Sequence, residues 1–178
     1  MTAKALDLFG NPVRMRIVHC LYDGRELTTA ELCAHLPDVS QATMYRHVAD
    51  MERAGALEVV RAEKVRGAIE RTYRLRPSAA HMSPAERADM TAEDLQRTMA
   101  TVASVMVAEF NQLLAASKRP PKDAISLAQF TLWLSDEELA DLSAAMRAFI
   151  GRNLANTPRG RRRYLLSPTC FPLAPHKD

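Results

Sequence analysis

The chain has 178 residues, a formal net charge of +3, 47% hydrophobic residues and three cysteines. That hydrophobic share suffices for a packed core and argues against a disordered protein, while three cysteines with no CxxC pair argue against a disulfide-stapled scaffold. No continuous apolar run approaches the roughly 18 residues of a membrane span, and residues 1–9 lack the apolar region of a secretory signal, so a cytoplasmic protein of one large or two small domains is expected.

The charge is unevenly spread. Residues 1–76 hold 12 Lys+Arg and 10 Asp+Glu, residues 77–151 hold 6 and 10, and residues 152–178 hold 6 and 1. The middle is acidic and both ends are basic.

In chain order, Asn11-Pro12 predicts a first helix, because Asn accepts from orphan amides and Pro at the first helical position loses no hydrogen bond. Val13, Ile17 and Leu21 form its apolar stripe, and Asp23-Gly24 ends it. Thr28-Thr29-Ala30-Glu31 is a capping box opening a second helix, with Leu32 and Leu36 facing inward and Pro37-Asp38 as the stop. After a turn over residues 37–39, Ser40 caps a third helix running to about Ala54. Met44, Val48 and Met51 make its buried face, and Gly55 supplies the left-handed end. Residues 57–76 then alternate weakly, with Leu57 and Val59 in one arm, a turn at Arg66-Gly67, and Ile69, Arg71, Tyr73 and Leu75 in the other, which predicts a hairpin. Two helices across a short turn followed by a hairpin is the layout of a winged helix-turn-helix, which presents one helix to the DNA major groove and the hairpin to the flanking backbone.

Residues 77–90 read as a linker with a short helix from Ser83-Pro84-Ala85-Glu86. Thr91-Ala92-Glu93-Asp94 caps a long helix, whose seam of Leu95, Met99, Val102, Met106, Phe110 and Leu113 continues to about Ser117. Residues 125–134 alternate like a strand. Ser135-Asp136-Glu137-Glu138 opens another helix, bearing Leu139, Leu142, Met146, Phe149 and Ile150. Residues 161–171 read as a last strand, antiparallel to 125–134. The expected fold class is mainly α with small β: a winged helix-turn-helix over 1–76, a linker over 77–90, and an α-rich dimerisation or ligand-binding region over 91–178 with a small two-stranded sheet.

Pro12-Val13-Arg14-Met15-Arg16-Ile17-Val18, Ser40-Gln41-Ala42-Thr43-Met44-Tyr45-Arg46-His47 and Ala54-Gly55-Ala56-Leu57 together resemble the ArsR-type winged helix regulators of bacteria. The branch whose wing carries Val65-Arg66-Gly67-Ala68 and Glu70-Arg71-Thr72-Tyr73 is more similar still. The likeness covers residues 5–76, and more loosely 84–178. It implies a homodimer that binds a near-palindromic operator in double-stranded DNA and usually represses.

Ser40, Gln41, Thr43, Tyr45 and Arg46 are the candidate readers on the third helix. Arg46 is the choice for a bidentate guanine contact, worth about 1–3 kcal/mol of discrimination. Arg61, Lys64, Arg66 and Arg71 are the candidate wing contacts to phosphate or minor groove, against which Glu58, Glu63 and Glu70 supply local neutralisation. His47, on the flank of the helix, reads as a packed or capping histidine.

No metal site or cofactor is expected. Cys33 and His35 diverge by about 200° on one helix, His19 and Cys20 are adjacent and also diverge, and the paired-cysteine pattern of the arsenic and cadmium sensors is missing. Leu95, Met99, Val102, Met106, Phe110, Phe130 and Trp133 are read as a dimer seam or, alternatively, as the lining of a pocket for a small apolar effector. Arg159, Arg161, Arg162 and Arg163 read as a solvated edge that discourages sheet-to-sheet association. Without a Gly-rich phosphate loop, HExxH or GxSxG, an enzyme is not expected. The competing readings are a metal- or small-molecule-sensing derepressor and a winged module that contacts protein instead of DNA.

Overall fold

The computed structural model describes residues 8, 10–22, 24–65, 67–79, 82–117, 119, 121–154 and 159–174. Its elements are α1 (Pro12–Leu21), β1 (Leu27–Thr28), α2 (Thr29–His35), α3 (Gln41–Arg53), β2 (Leu57–Val65), β3 (Ala68–Leu75), α4 (Pro84–Ala88), α5 (Ala92–Ala116) and α6 (Asp136–Leu154), with single 3₁₀ turns at Pro77–Ala79 and Lys122–Ala124. The fold is mainly α with one small antiparallel sheet.

Helix starts follow from their caps. The Asn11 side chain accepts from the backbone amides of Val13 and Arg14. Thr28, Ser83 and Thr91 form reciprocal capping boxes with Glu31, Glu86 and Asp94, each satisfying two amides that the first turn would otherwise leave unpaired. Gly55, at φ 77°, takes the left-handed position that closes α3 and that a side chain would strain.

The sheet has the order β1-β3-β2. In the wing, Leu57 pairs with Leu75 and Val65 with Ala68, and a bulge lies between Val59 and Arg61. The wing turn includes Gly67 at φ 89°; Arg66 lies outside the described residues. The two-residue strand β1, which pairs Leu27 with Tyr73 and Thr28 with Thr72, has no counterpart in the sequence reading, because two residues carry no periodicity.

The core sits among α1, α2, α3 and the sheet. Ile17, Leu21, Leu32, Met44, Met51 and Leu57 are almost wholly withdrawn from solvent within it, each contributing about 1.5–3 kcal/mol of burial free energy. Met44, Val48 and Met51 lie on the inward face of α3 as their spacing predicts.

α5 packs along α1. Thr101 and Val105 are its two buried residues, and the predicted seam is only partly covered. Leu95, Met99 and Met106 are exposed on α5 and Val102, Phe110 and Leu113 half-buried. α5 also has the length and mean hydropathy, 1.3 over 18 residues, to cross a membrane by composition alone, contrary to the sequence expectation. Thr101, Ser104 and Glu109 break up any apolar run, while its Ala, Val, Met, Leu and Phe residues keep the mean high. In this fold its Glu109 is bound to an arginine of α1.

The expected second sheet does not form. Residues 125–134 and 161–174 have no strand partner, and among the described residues neither segment makes a backbone–backbone hydrogen bond. The alternation that suggested strands is real, but a strand needs a neighbour, and this single chain brings none beside either segment. α6, between them, has no buried residue.

Candidate nucleic-acid interface

The candidate recognition face is built on α3. With Met44, Val48 and Met51 anchored in the core, the opposite face presents Gln41, Ala42, Tyr45, Arg46 and Ala49 to solvent. Tyr45 is 50% exposed. Arg46 makes no ion pair or hydrogen bond among the described residues, so its guanidinium is free for an outside acceptor. Ser40 and Thr43 are occupied differently. The Ser40 hydroxyl accepts from the Thr43 amide at 3.3 Å and donates to the Thr43 hydroxyl at 2.9 Å, so this pair caps and aims the helix N-terminus, with the Thr43 side chain half-buried.

The wing is exposed along Arg61–Val65 and Gly67–Arg71 wherever it is described. Lys64 has no partner among the described residues, and Arg61 stands 3.8 Å from Glu63, a loose surface pair of little energetic weight. Arg71 is different: its Nη1 donates to both Glu52 oxygens at 3.1 and 3.3 Å. The Tyr73 hydroxyl also donates to Glu52 at 3.4 Å. Glu52 on α3 therefore ties the wing to the recognition helix, and the Arg71 charge is already compensated. The sequence contained this signal in a glutamate facing the hairpin side of α3, but its partners lie 19 and 21 residues away.

His47 is buried. Burial, then the neighbouring Arg14 and Arg46 charges, lower its pKa below the usual imidazole value. The Arg14 Nε donates to its Nδ1 at 3.5 Å, and Arg14 also reaches Asp50 at 3.4 Å. This histidine packs α1 against α3.

Sequence reasoning missed the strongest polar cluster. Arg16 of α1 is only 3% exposed. Its Nη1 and Nη2 donate to the two Asp38 oxygens at 2.6 and 2.9 Å, and its Nε donates to Glu109 at 2.8 Å. Gln112 adds a 2.8 Å bond to Asp38. Asp38 lies in the turn just before Ser40, and Glu109 and Gln112 lie on α5, so one arginine joins the turn of the helix-turn-helix to the long C-terminal helix. The hydrogen bonds from Arg16 hold the Asp38 carboxyl below the usual carboxylate range and raise the arginine further.

Of the residues read as a dimer seam or effector pocket, Leu95, Met99, Val102, Met106 and Phe110 lie along α5, and Phe130 and Trp133 lie outside any helix or strand. Phe130 is 82% and Trp133 97% exposed. A cleft of about 380 Å³ is lined by Met146, Phe149, Ile150 and Leu166 among others, and one of about 850 Å³ runs between Pro37-Asp38 and α5. Neither is lined by any of the seven. Among the described residues no group of three His, Cys, Asp or Glu side chains could hold a metal ion. Cys20 is buried and its thiol pKa is pushed up by that burial, which disfavours a reactive thiolate.

Residues 9–60 match a helix-turn-helix domain family. The matched stretch holds α1, α2, α3 and the start of β2, under a third of the chain. No curated protein matches the chain. The helix-turn-helix match and the exposed, basic face of α3 both speak for DNA binding and transcription regulation.

Proposed function

We propose that this protein is a homodimeric, sequence-specific transcriptional regulator of the cytoplasm that represses by occupying an inverted-repeat operator. α3 enters the major groove, with Arg46, Tyr45 and Gln41 at the base edges. Ser40 and Thr43 set the angle of the helix. Arg61, Lys64 and Arg66 bring the wing to the flanking phosphates, while Arg71 holds the wing against α3. The observation that carries this reading is the contrast between the two faces of α3: a buried apolar face in the core, and an opposite face with an arginine unpaired among the described residues and an exposed tyrosine.

Within the helix-turn-helix class, the motifs resemble ArsR-type regulators, and the resemblance supports dimerisation and repression. The exposed side of α5, with Leu95, Met99 and Met106, supports a partner helix there, since a helix of 25 residues with two buried leaves most of its apolar surface unused. The chain acts by binding and not by catalysis.

A footprint over DNA flanking the gene tests this reading. Two protected half-sites about one helical turn apart are expected. Uniform protection, or none, would contradict it.

A further inference from the structure

We propose that residues 126–134 and 161–167 are the two halves of an intermolecular sheet, in which each segment pairs antiparallel with the other segment of a second copy of this chain. The proposal rests on the homodimer reading above and adds how the copies are joined: by exchanged strands, and not by α5 alone.

Four observations carry it. The first is the backbone. Both segments are free of backbone hydrogen bonds among the described residues, and a row of open N–H and C=O groups is a template for another strand. Pro168 cannot donate, so the second strand ends at Ser167.

The second is the side chains. Leu127, Phe130, Trp133, Tyr164 and Leu166 are all more than half exposed. Along a strand Leu127 and Trp133 share one face and Phe130 takes the other, and aromatic side chains bury about 150–250 Å² each, so both faces carry apolar surface that a second copy would cover.

The third is charge. The first segment runs into Asp136 and Glu137, and the second begins at Arg161 and Arg162; none of the four has an ion pair among the described residues. Antiparallel pairing sets the end of one segment beside the start of the other, which brings these opposite charges together. Parallel pairing would instead set the arginines beside an end of mixed charge, flanked by Arg119, Lys122 and Asp123.

The fourth is reach. α6, between the segments, has 19 residues and is therefore about 28 Å long. The seven steps from Leu154 to Arg161 span at most about 23–25 Å, so antiparallel pairing within one copy would need this link drawn out almost straight back along the helix. A second copy removes that constraint.

A charge-exchange experiment on the full chain tests the proposal. One variant carries Asp136→Lys and Glu137→Lys, the other Arg161→Glu and Arg162→Glu, all at exposed positions. Each variant alone is expected to dimerise about tenfold or more weakly by sedimentation, and mixing the two is expected to restore a heterodimer of wild-type affinity. Hydrogen exchange on the unaltered protein gives a second reading, with amide protection expected in 127–133 and 162–166. Restoration only when all four changes sit in one chain would place the pairing within a copy and overturn the proposal. Wild-type dimerisation by each variant, with unprotected amides, would overturn strand exchange and leave the dimer standing. A monomeric wild type, free and on DNA, would overturn both.

Discussion

Arg16 and Asp38 form a two-point ion pair, at 2.6 and 2.9 Å, between the interior of α1 and the turn that launches the recognition helix. A guanidinium matches a carboxylate through two parallel bonds, so the pair fixes the direction of the turn as well as its position. Glu109 on the third side of Arg16 extends that constraint to α5. The recognition helix is thereby oriented by its own core and by the C-terminal half together.

Breaking this pair should cost both stability and DNA affinity. Asp38→Ala leaves a buried guanidinium with Glu109 alone, and a loss of about 1–3 kcal/mol is expected, read as a lower urea midpoint. Glu109→Gln should cost less, because Arg16 keeps its two-point partner. Equal stability of Asp38→Ala and the unaltered protein would show that the pair is ornamental.

Base reading and phosphate attraction should separate in a salt series. Arg46→Ala is expected to lose about 1–3 kcal/mol on the operator and little on random DNA. Lys64→Ala should weaken both equally and reduce the slope of log affinity against log salt by about one. Loss of the same size on random DNA for Arg46→Ala would demote it to a phosphate contact.

Glu52 should matter to the wing more than to the core. Glu52→Gln leaves Arg71 and Tyr73 without their charged acceptor, and a stability loss of about 0.5–1.5 kcal/mol is expected. Amide exchange in β3 should quicken with it. Unchanged exchange there would mean that the sheet pairing alone holds the wing.

Stability should fall in mild acid. His47 and His19 both have pKa values lowered in the fold, chiefly by burial. The unfolded chain therefore binds their protons first. The stabilisation is complete above the ordinary value near 6.5 and is lost as pH falls through and below it. Asp38, whose pKa is also lowered in the fold, contributes in the same sense, and its stabilisation persists until far more acidic conditions. Urea midpoints at several pH values check this, and His47→Gln should flatten the profile. A midpoint that does not fall below pH 6.5 would contradict the assignment.

The N-terminal half was legible in the sequence because its signals are local. Asn11, Thr28, Ser40 and Gly55 mark helix ends within a few residues, and Met44, Val48 and Met51 mark a face by spacing alone. The Arg16 cluster was not legible: its partners stand 22 and 93 residues away, and nothing in a single sequence reports such a distance. A hint existed in a charged residue set between Met15 and Ile17, on a helix otherwise apolar at that level. The Glu52 partner of Arg71, a residue expected at the DNA, was not legible for the same reason. In α5 the periodicity located a helix and an apolar seam, but the helix has two usable faces. Its two buried residues are Thr101 and Val105, which composition did not favour. The strands at 125–134 and 161–171 failed to pair because alternation describes one strand, whereas a ladder needs two.

The most direct measurement is a fluorescence-anisotropy titration of the unaltered protein and Arg46→Ala against DNA flanking the gene, with a scrambled duplex as control. The account predicts nanomolar, salt-sensitive binding to the flanking DNA that falls by about tenfold or more in the variant while scrambled binding is unchanged. Equal affinity of both proteins for both duplexes would contradict a regulator that reads DNA through α3.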